Sequence, residues 1–258
     1  MPIIENEYTE KKIPLFKNLN WNKIKNIKIE DNGEELVSTS LIPEKIVVRP
    51  YYFIQNIEGA LPECYLRNKV FEKLIKAHEK LPEGYKFVIF DAWRPIKVQK
   101  RLYKMIKEKL TKNYPSKNKE KIKKMATNYV ALPSSKKESP SPHTTGGAVD
   151  LSIVNEKGRL LKMGTEFDTA NKKSNINYYE EKYENNKKLT KEEKNILKNR
   201  RLLYNIMTSV GFTNFPKEWW HYDYGNQNWV YFTEKNNLNA IYGKTEPDFI
   251  WDNGPPLK

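Results

Sequence analysis

Residues 85–90, YKFVIF, form a continuous apolar run of the kind found in a buried strand. Helical patterns flank it. Before it, YLRNKVFEKLIKAHEKL (65–81) sets Leu66, Val70, Phe71, Leu74, Ile75 and His78 on one side at helical spacing, and PEG ends the helix. His78 lies on that core-facing stripe and reads as structural. After the run, RPIKVQKRLYKMIKEKL places Pro95 in a first turn and Val98, Leu102, Met105 and Ile106 along an apolar stripe. GGAVDLSIVNEKGRLLKMG (146–164) reads as a β-hairpin turning at NEKG. Thr190 and Glu193 form a capping box for a helix with the stripe Ile196, Leu203, Ile206, Met207 and Val210, stopped by Gly211. EWWHYDYGNQNWVYF (218–232) reads as an aromatic strand pair around a Gly/Asn turn. Residues 1–45 are a weakly patterned lead-in to a domain spanning 46–258. The stretch 111–141 reads as a loop holding a short helix, and 169–188 as a surface insertion. Without regular βαβ alternation or repeats, the expected fold is α+β: a single domain whose central, mostly antiparallel sheet is flanked by helices.

Composition narrows the function. The net charge of +14 comes mainly from lysine and raises the question of an anionic partner. The lysines, however, are interspersed with Glu and Asn, as in KNKEKIKKM and NNKKLTKEEKNILKNRR, which read as solvated helix faces. No nucleic-acid-binding signature accompanies them, so no nucleic-acid partner is expected. A single cysteine, Cys64, excludes an intramolecular disulfide framework and a cysteine-based zinc finger. No apolar run reaches the roughly 18 residues of a membrane span. The first residues, MPIIENEYTEKKIPLF, do not join a basic segment to an apolar one as a secretory leader does. A cytoplasmic protein is expected, or an exported one if a leader preceded this sequence.

The chemistry sits in SPSPHTTGGAVDLSI (139–153). Strand alternation sends Val149, Leu151 and Ile153 to one face and Asp150 and Ser152 to the other, so Asp150 can point into a cleft. Gly146 and Gly147 permit a tight turn that brings His143 to the same cleft. Downstream, KEWWHYD supplies Glu218 and His221. Two imidazoles and a carboxylate make a catalytic zinc set that leaves a position for water. A further carboxylate off the metal can take that water's proton. On a regular strand Glu218 and His221 would face opposite ways. They share a site only if Glu218 lies in a bend after Pro216 or at a bulge.

Ser141, His143, Gly146, Ala148 and Asp150 in S-x-H-x-x-G-x-A-x-D, followed by Glu218 and His221 in E-x-x-H, resemble the zinc D,D-peptidases of the M15 group, which share a fold with Hedgehog-type domains. DAWRP (91–95), MGTEFD (163–168), NRRLL (199–203), EWWH, and Tyr51 and Asn56 in RPYYFIQN resemble the group's VanX-type D-alanyl-D-alanine dipeptidases. The resemblance covers 46–232 apart from the segments 111–138 and 171–190; Pro142 departs from the serine often found there. It implies one Zn²⁺ per chain on His143, Asp150 and His221. It implies Glu218 as general base and then proton donor, and Arg94 as the cation that polarises the scissile carbonyl. Tyr51, Ser141 and Asp168 would hold the ends of a D-Ala-D-Ala dipeptide. Read without the resemblance, Arg94 could serve only as an ion-pair partner of Asp91, Asp168 could simply end a hairpin, and Tyr51 could be core.

Two other functions compete with the dipeptidase. One is a D,D- or L,D-carboxypeptidase or endolysin acting on peptidoglycan stems, which the basic charge would suit. The other is a non-catalytic, zinc-stabilised binding module, against which Glu218 and Arg94 argue. The sequence leaves the oligomeric state open.

Overall fold

The sheet anticipated by the run at 85–90 is five strands wide, and the chain reaches it by short steps. The computed structural model describes residues 6–16, 19–126, 134, 136–169, 171–185, 188–235 and 238–248. Two short helices, α1 (Glu7–Glu10) and α2 (Trp21–Lys25), and a strand, β1 (Leu36–Ser38), precede the first sheet strand, β2 (Ile46–Val48). Helix α3 (Tyr51–Ile54) follows, then strand β3 (Tyr65–Arg67), helix α4 (Asn68–His78) and strand β4 (Lys86–Asp91). Helices α5 (Ile96–Asn113) and α6 (Lys119–Ala126) lead to strand β5 (Ala148–Val154). The remainder is α7 (Tyr178–Glu184), α8 (Lys191–Ser209), β6 (Thr213–Asn214), β7 (His221–Asp223) and α9 (Gln227–Thr233).

The main sheet runs β2-β4-β5-β7-β6, with β2 parallel to β4 and the other pairs antiparallel. Every residue of β5 is buried, so the sheet is covered on both faces there. Register aligns Phe87 with Ile153 and Ile89 with Leu151, and these four join Leu74 of α4 and Leu203 and Met207 of α8 in one core. The lead-in docks on this body: Ile13 and Ile24 are buried, and Asp31 pairs with buried Arg67 at 2.8 Å. Among the described residues no helix is long and apolar enough to cross a membrane.

Several elements differ from their sequence reading. The helix at 65–81 starts only at Asn68, because 65–67 pair antiparallel with β1. Pro95 caps α5 from outside its first turn, and Met105 faces solvent. The return leg of the 146–164 hairpin makes only a single bridge, Val154 to Leu160, since β7 already occupies the start of that edge. The stretch 169–188 is not all surface: Ile176, Tyr179 and Glu180 are buried. In 218–232 only 221–223 form a strand. Gly225 turns the chain at φ 73°, and Asn226 caps α9 by accepting a hydrogen bond from the Trp229 amide, so the aromatic second half is helical.

Candidate metal centre and active site

Antiparallel register places Asp150 of β5 directly opposite His221 of β7. His143 arrives from a 3-10 turn, Pro142–Thr145, that Ser141 opens and Gly146 closes at φ 70°. A Cβ on Gly147 would stand 2.5 Å from the Tyr224 carbonyl oxygen, so only glycine lets the turn press against the strand behind it. His143, Asp150 and His221 are all buried, and their ligand atoms lie within 4.8 Å of one another. His143 Nε2 is 3.2 Å from His221 Nδ1 and 3.4 Å from Asp150 Oδ2, while His221 Nδ1 is 3.0 Å from Asp150 Oδ1. Ligands about 2.0–2.1 Å from a tetrahedral ion stand about 3.3 Å apart, so the spacing suits a metal.

The second nitrogen of each ring sets which one faces the cluster. His143 Nδ1 lies 2.7 Å from the Ala92 carbonyl oxygen and His221 Nε2 lies 3.1 Å from Asp223, so both carry their protons outward. Asp223 is itself held by Asn226 at 2.6 Å and Asn228 at 3.2 Å. Burial alone would lower the pKa of His221, but the charge of Asp223 and the hydrogen bonds that Asp150 and Asp223 accept raise it well above its ordinary value. Burial would likewise raise Asp150, yet His143 and His221 hold it below the usual carboxylate range. The two shifts share a cause, since the imidazoles and carboxylates of the cluster favour each other's charged forms.

Glu218 lies in the bend that follows Pro216, where its amide donates to the Phe215 carbonyl at 3.0 Å. Its carboxylate reaches to 3.7 Å from His221 Nδ1, and burial pushes its pKa up to about 7. Arg94 sits across the cluster. It forks Asp91 through Nε at 2.9 Å and Nη2 at 2.7 Å, donates to Gln99 at 2.6 Å, and faces Asp150 at 3.6 Å. Arg94 is thus both an ion-pair partner of Asp91 and a cation at the site. Asp91 stands opposite Asp150 after a β-bulge, a placement made tolerable by the intervening guanidinium and by His143, whose Nδ1 lies 3.1 Å from the Asp91 carboxylate. Burial raises the pKa of Asp91, and Arg94 opposes that rise.

Tyr51 packs against Phe167, the neighbour of Asp168 in sequence. Burial, and then the nearby Asp168 charge, raise the pKa of the Tyr51 hydroxyl. Asp168 adopts the left-handed region at φ 60°, and burial by the surrounding protein pushes its carboxyl up to about 7 although the side chain still touches solvent at the rim. Phe167, the residue before Asp168, is itself fixed, stacked on Phe90 at 4.8 Å and edge-on to Tyr51 at 4.9 Å and Trp220 at 5.4 Å. Ser141 is buried two residues before His143. Sequence reasoning overlooked Asp223 and Tyr52. Asp223 follows His221 at strand spacing on the same face, a legible signal. Tyr52 lies under the Arg94 guanidinium, 4.8 Å from ring centre to Cζ, and nothing in the sequence separates it from its neighbours.

The family model described as Peptidase_M15, D-ala-D-ala dipeptidase, matches residues 41–241. The chain is 30% identical over 237 residues to the D-alanyl-D-alanine dipeptidase of Synechocystis sp., covering 85% of this chain and 95% of that one. It is 29% identical to the enzyme of that name from Enterococcus faecium, covering 65% and 79%. For the one from Escherichia coli the figures are 27% identity, with 73% and 84% covered. The match spans the strands, turns and loops that assemble the centre, and the chain belongs to the D-alanyl-D-alanine dipeptidase family of M15 metallopeptidases, a family of hydrolases.

Proposed function

We propose that this protein hydrolyses D-Ala-D-Ala to two D-alanines around one zinc ion held by His143, Asp150 and His221. The observation that carries the reading is the convergence of two inward imidazole nitrogens and a carboxylate with Glu218 alongside, 3.7 Å from His221. Two nitrogens and an oxygen are a zinc donor set, and zinc at such a centre activates water and polarises a carbonyl. Glu218 takes the water's proton and returns it to the leaving amine, and a carboxyl poised near neutrality is suited to both transfers. Arg94, immobilised by Asp91 and Gln99, offers a fixed cation to the carbonyl oxygen as negative charge builds there. Asp168 and Tyr51 receive the substrate's ammonium end, and Ser141 contacts the dipeptide beside the metal.

A second reading, a carboxypeptidase acting on longer stems, draws on an open cavity of about 850 Å³ that begins at Tyr51 and Phe167. Incubation of the zinc-loaded protein with D-Ala-D-Ala, with N-acetyl-D-Ala-D-Ala and with cell-wall sacculi separates the readings. Free D-alanine is expected from the first substrate alone. Comparable release from the acetylated dipeptide would favour the carboxypeptidase, and no release from any would leave a binding module.

A further inference from the structure

Arg200 is fully buried in α8, one helical position before a second arginine, and the two do different things. Arg201 forks Glu180 at 2.6 and 2.8 Å. Among the described residues Arg200 makes no ion pair at all. Its Nε donates to the Met163 carbonyl at 2.8 Å, Nη1 to the carbonyls of Asn175 and Ile176, and Nη2 to that of Lys173. The guanidinium also lies over the Tyr179 ring, 4.9 Å from its centre. Burial pulls its pKa down to about 10, so the charge is kept at a cost that four carbonyl dipoles and a ring face offset.

Those carbonyls bracket one feature. Met163 begins the stretch 163–169 that carries Asp168, and Lys173, Asn175 and Ile176 belong to the turn 171–176 packed against it. Ser174 of that turn meets Thr165 at 3.2 Å, and Thr165 in turn accepts from the Trp219 indole at 2.8 Å. Asp168 stands in a left-handed conformation unfavourable to a residue with a Cβ, at φ 60°. Such a conformation persists only where its surroundings over-determine it. Phe167 clamps it on one side, and Arg200 ties both flanking stretches to a rigid helix.

We propose that Arg200 is a positioning residue that sets Asp168 against the substrate's ammonium group by binding the backbone on either side of it. The proposal rests on the reading of Asp168 given above. Lysine cannot replace the arginine, because an ammonium cannot fan out to carbonyls in opposite directions as a planar fork does.

The test is a double-mutant cycle on the zinc-loaded enzyme: Arg200→Gln, Asp168→Asn and both together, with KM and kcat for D-Ala-D-Ala and the melting temperature measured for each. Arg200→Gln should raise KM by about 10- to 100-fold, the scale expected when a binding group shifts by about 1 Å. In the Asp168→Asn background the same change should raise KM less than about threefold. Arg201→Lys, which weakens a structural pair instead, should lower the melting temperature without raising KM. Equal effects of Arg200→Gln with and without Asp168 would overturn the proposal. So would failure of both Arg200→Gln and Arg200→Lys to fold, which would make Arg200 a folding element. If Asp168→Asn alone leaves KM unchanged, the assignment of Asp168 falls, and the role of Arg200 with it.

Discussion

Pro216 keeps Glu218 out of β7. A separation of three residues would set Glu218 and His221 on opposite faces of a strand, and the turn removes that conflict. Glu218 therefore approaches the centre without joining it, and Glu218→Gln should keep its metal. Zinc content near one per chain with turnover reduced by roughly 10²–10⁴-fold is the expected result, and loss of zinc would make Glu218 a ligand. Asp168 gives a pH test. Desolvation by the surrounding protein pushes its carboxyl pKa up to about 7. Protonation removes the partner of the substrate's ammonium, so KM should climb as pH falls through this range while Asp168→Asn shows a flat, elevated KM. At this scale much was legible, because His143, Asp150, Glu218 and His221 are recognisable by type and spacing. Tyr52 was not, because its role comes from a guanidinium that lies over it, brought there by the loop after β4.

At the scale of elements, local pattern succeeded where the partner was local. The Thr190–Glu193 capping box forms as expected, because both halves lie in a single turn of chain. It failed where a distant edge decided the outcome: residues 65–67 look helical until 36–38 pair with them. The buried content of 169–188 was also hidden, since Glu180 is charged and only its pairing with Arg201 reveals its place. Glu180 additionally accepts from the Ile13 amide at 3.0 Å, joining α7, α8 and the lead-in. Glu180→Ala should destabilise the fold by about 3 kcal/mol by stranding Arg201, and adding Arg201→Met should recover most of that loss. Urea titration of the three variants checks both statements, and an unchanged midpoint for Glu180→Ala would contradict them.

At the scale of the whole molecule, the α+β class followed from helices and strands that mix without regular βαβ alternation, whereas the strand order did not, since β2-β4-β5-β7-β6 interleaves distant segments. Asp150 and His221 stand on β5 and β7, but the apolar side chains of α4, α8 and the sheet pack together without theirs, so the protein should remain folded without zinc and merely melt earlier. Saturating zinc at about 1,000 times its Kd would add about 4 kcal/mol. Calorimetry with chelator and after zinc is restored should show a reversible shift, absent in His143→Ala. The pairing of Asp150 with His221, 71 residues apart in the chain, carries a consequence for timing. During synthesis the nascent chain displays His143 and Asp150 long before His221 emerges, and one slip of strand register would turn the later histidine away. An ion held by all three side chains would thus be the last part fitted, and a chain that held it tightly would already have completed its sheet.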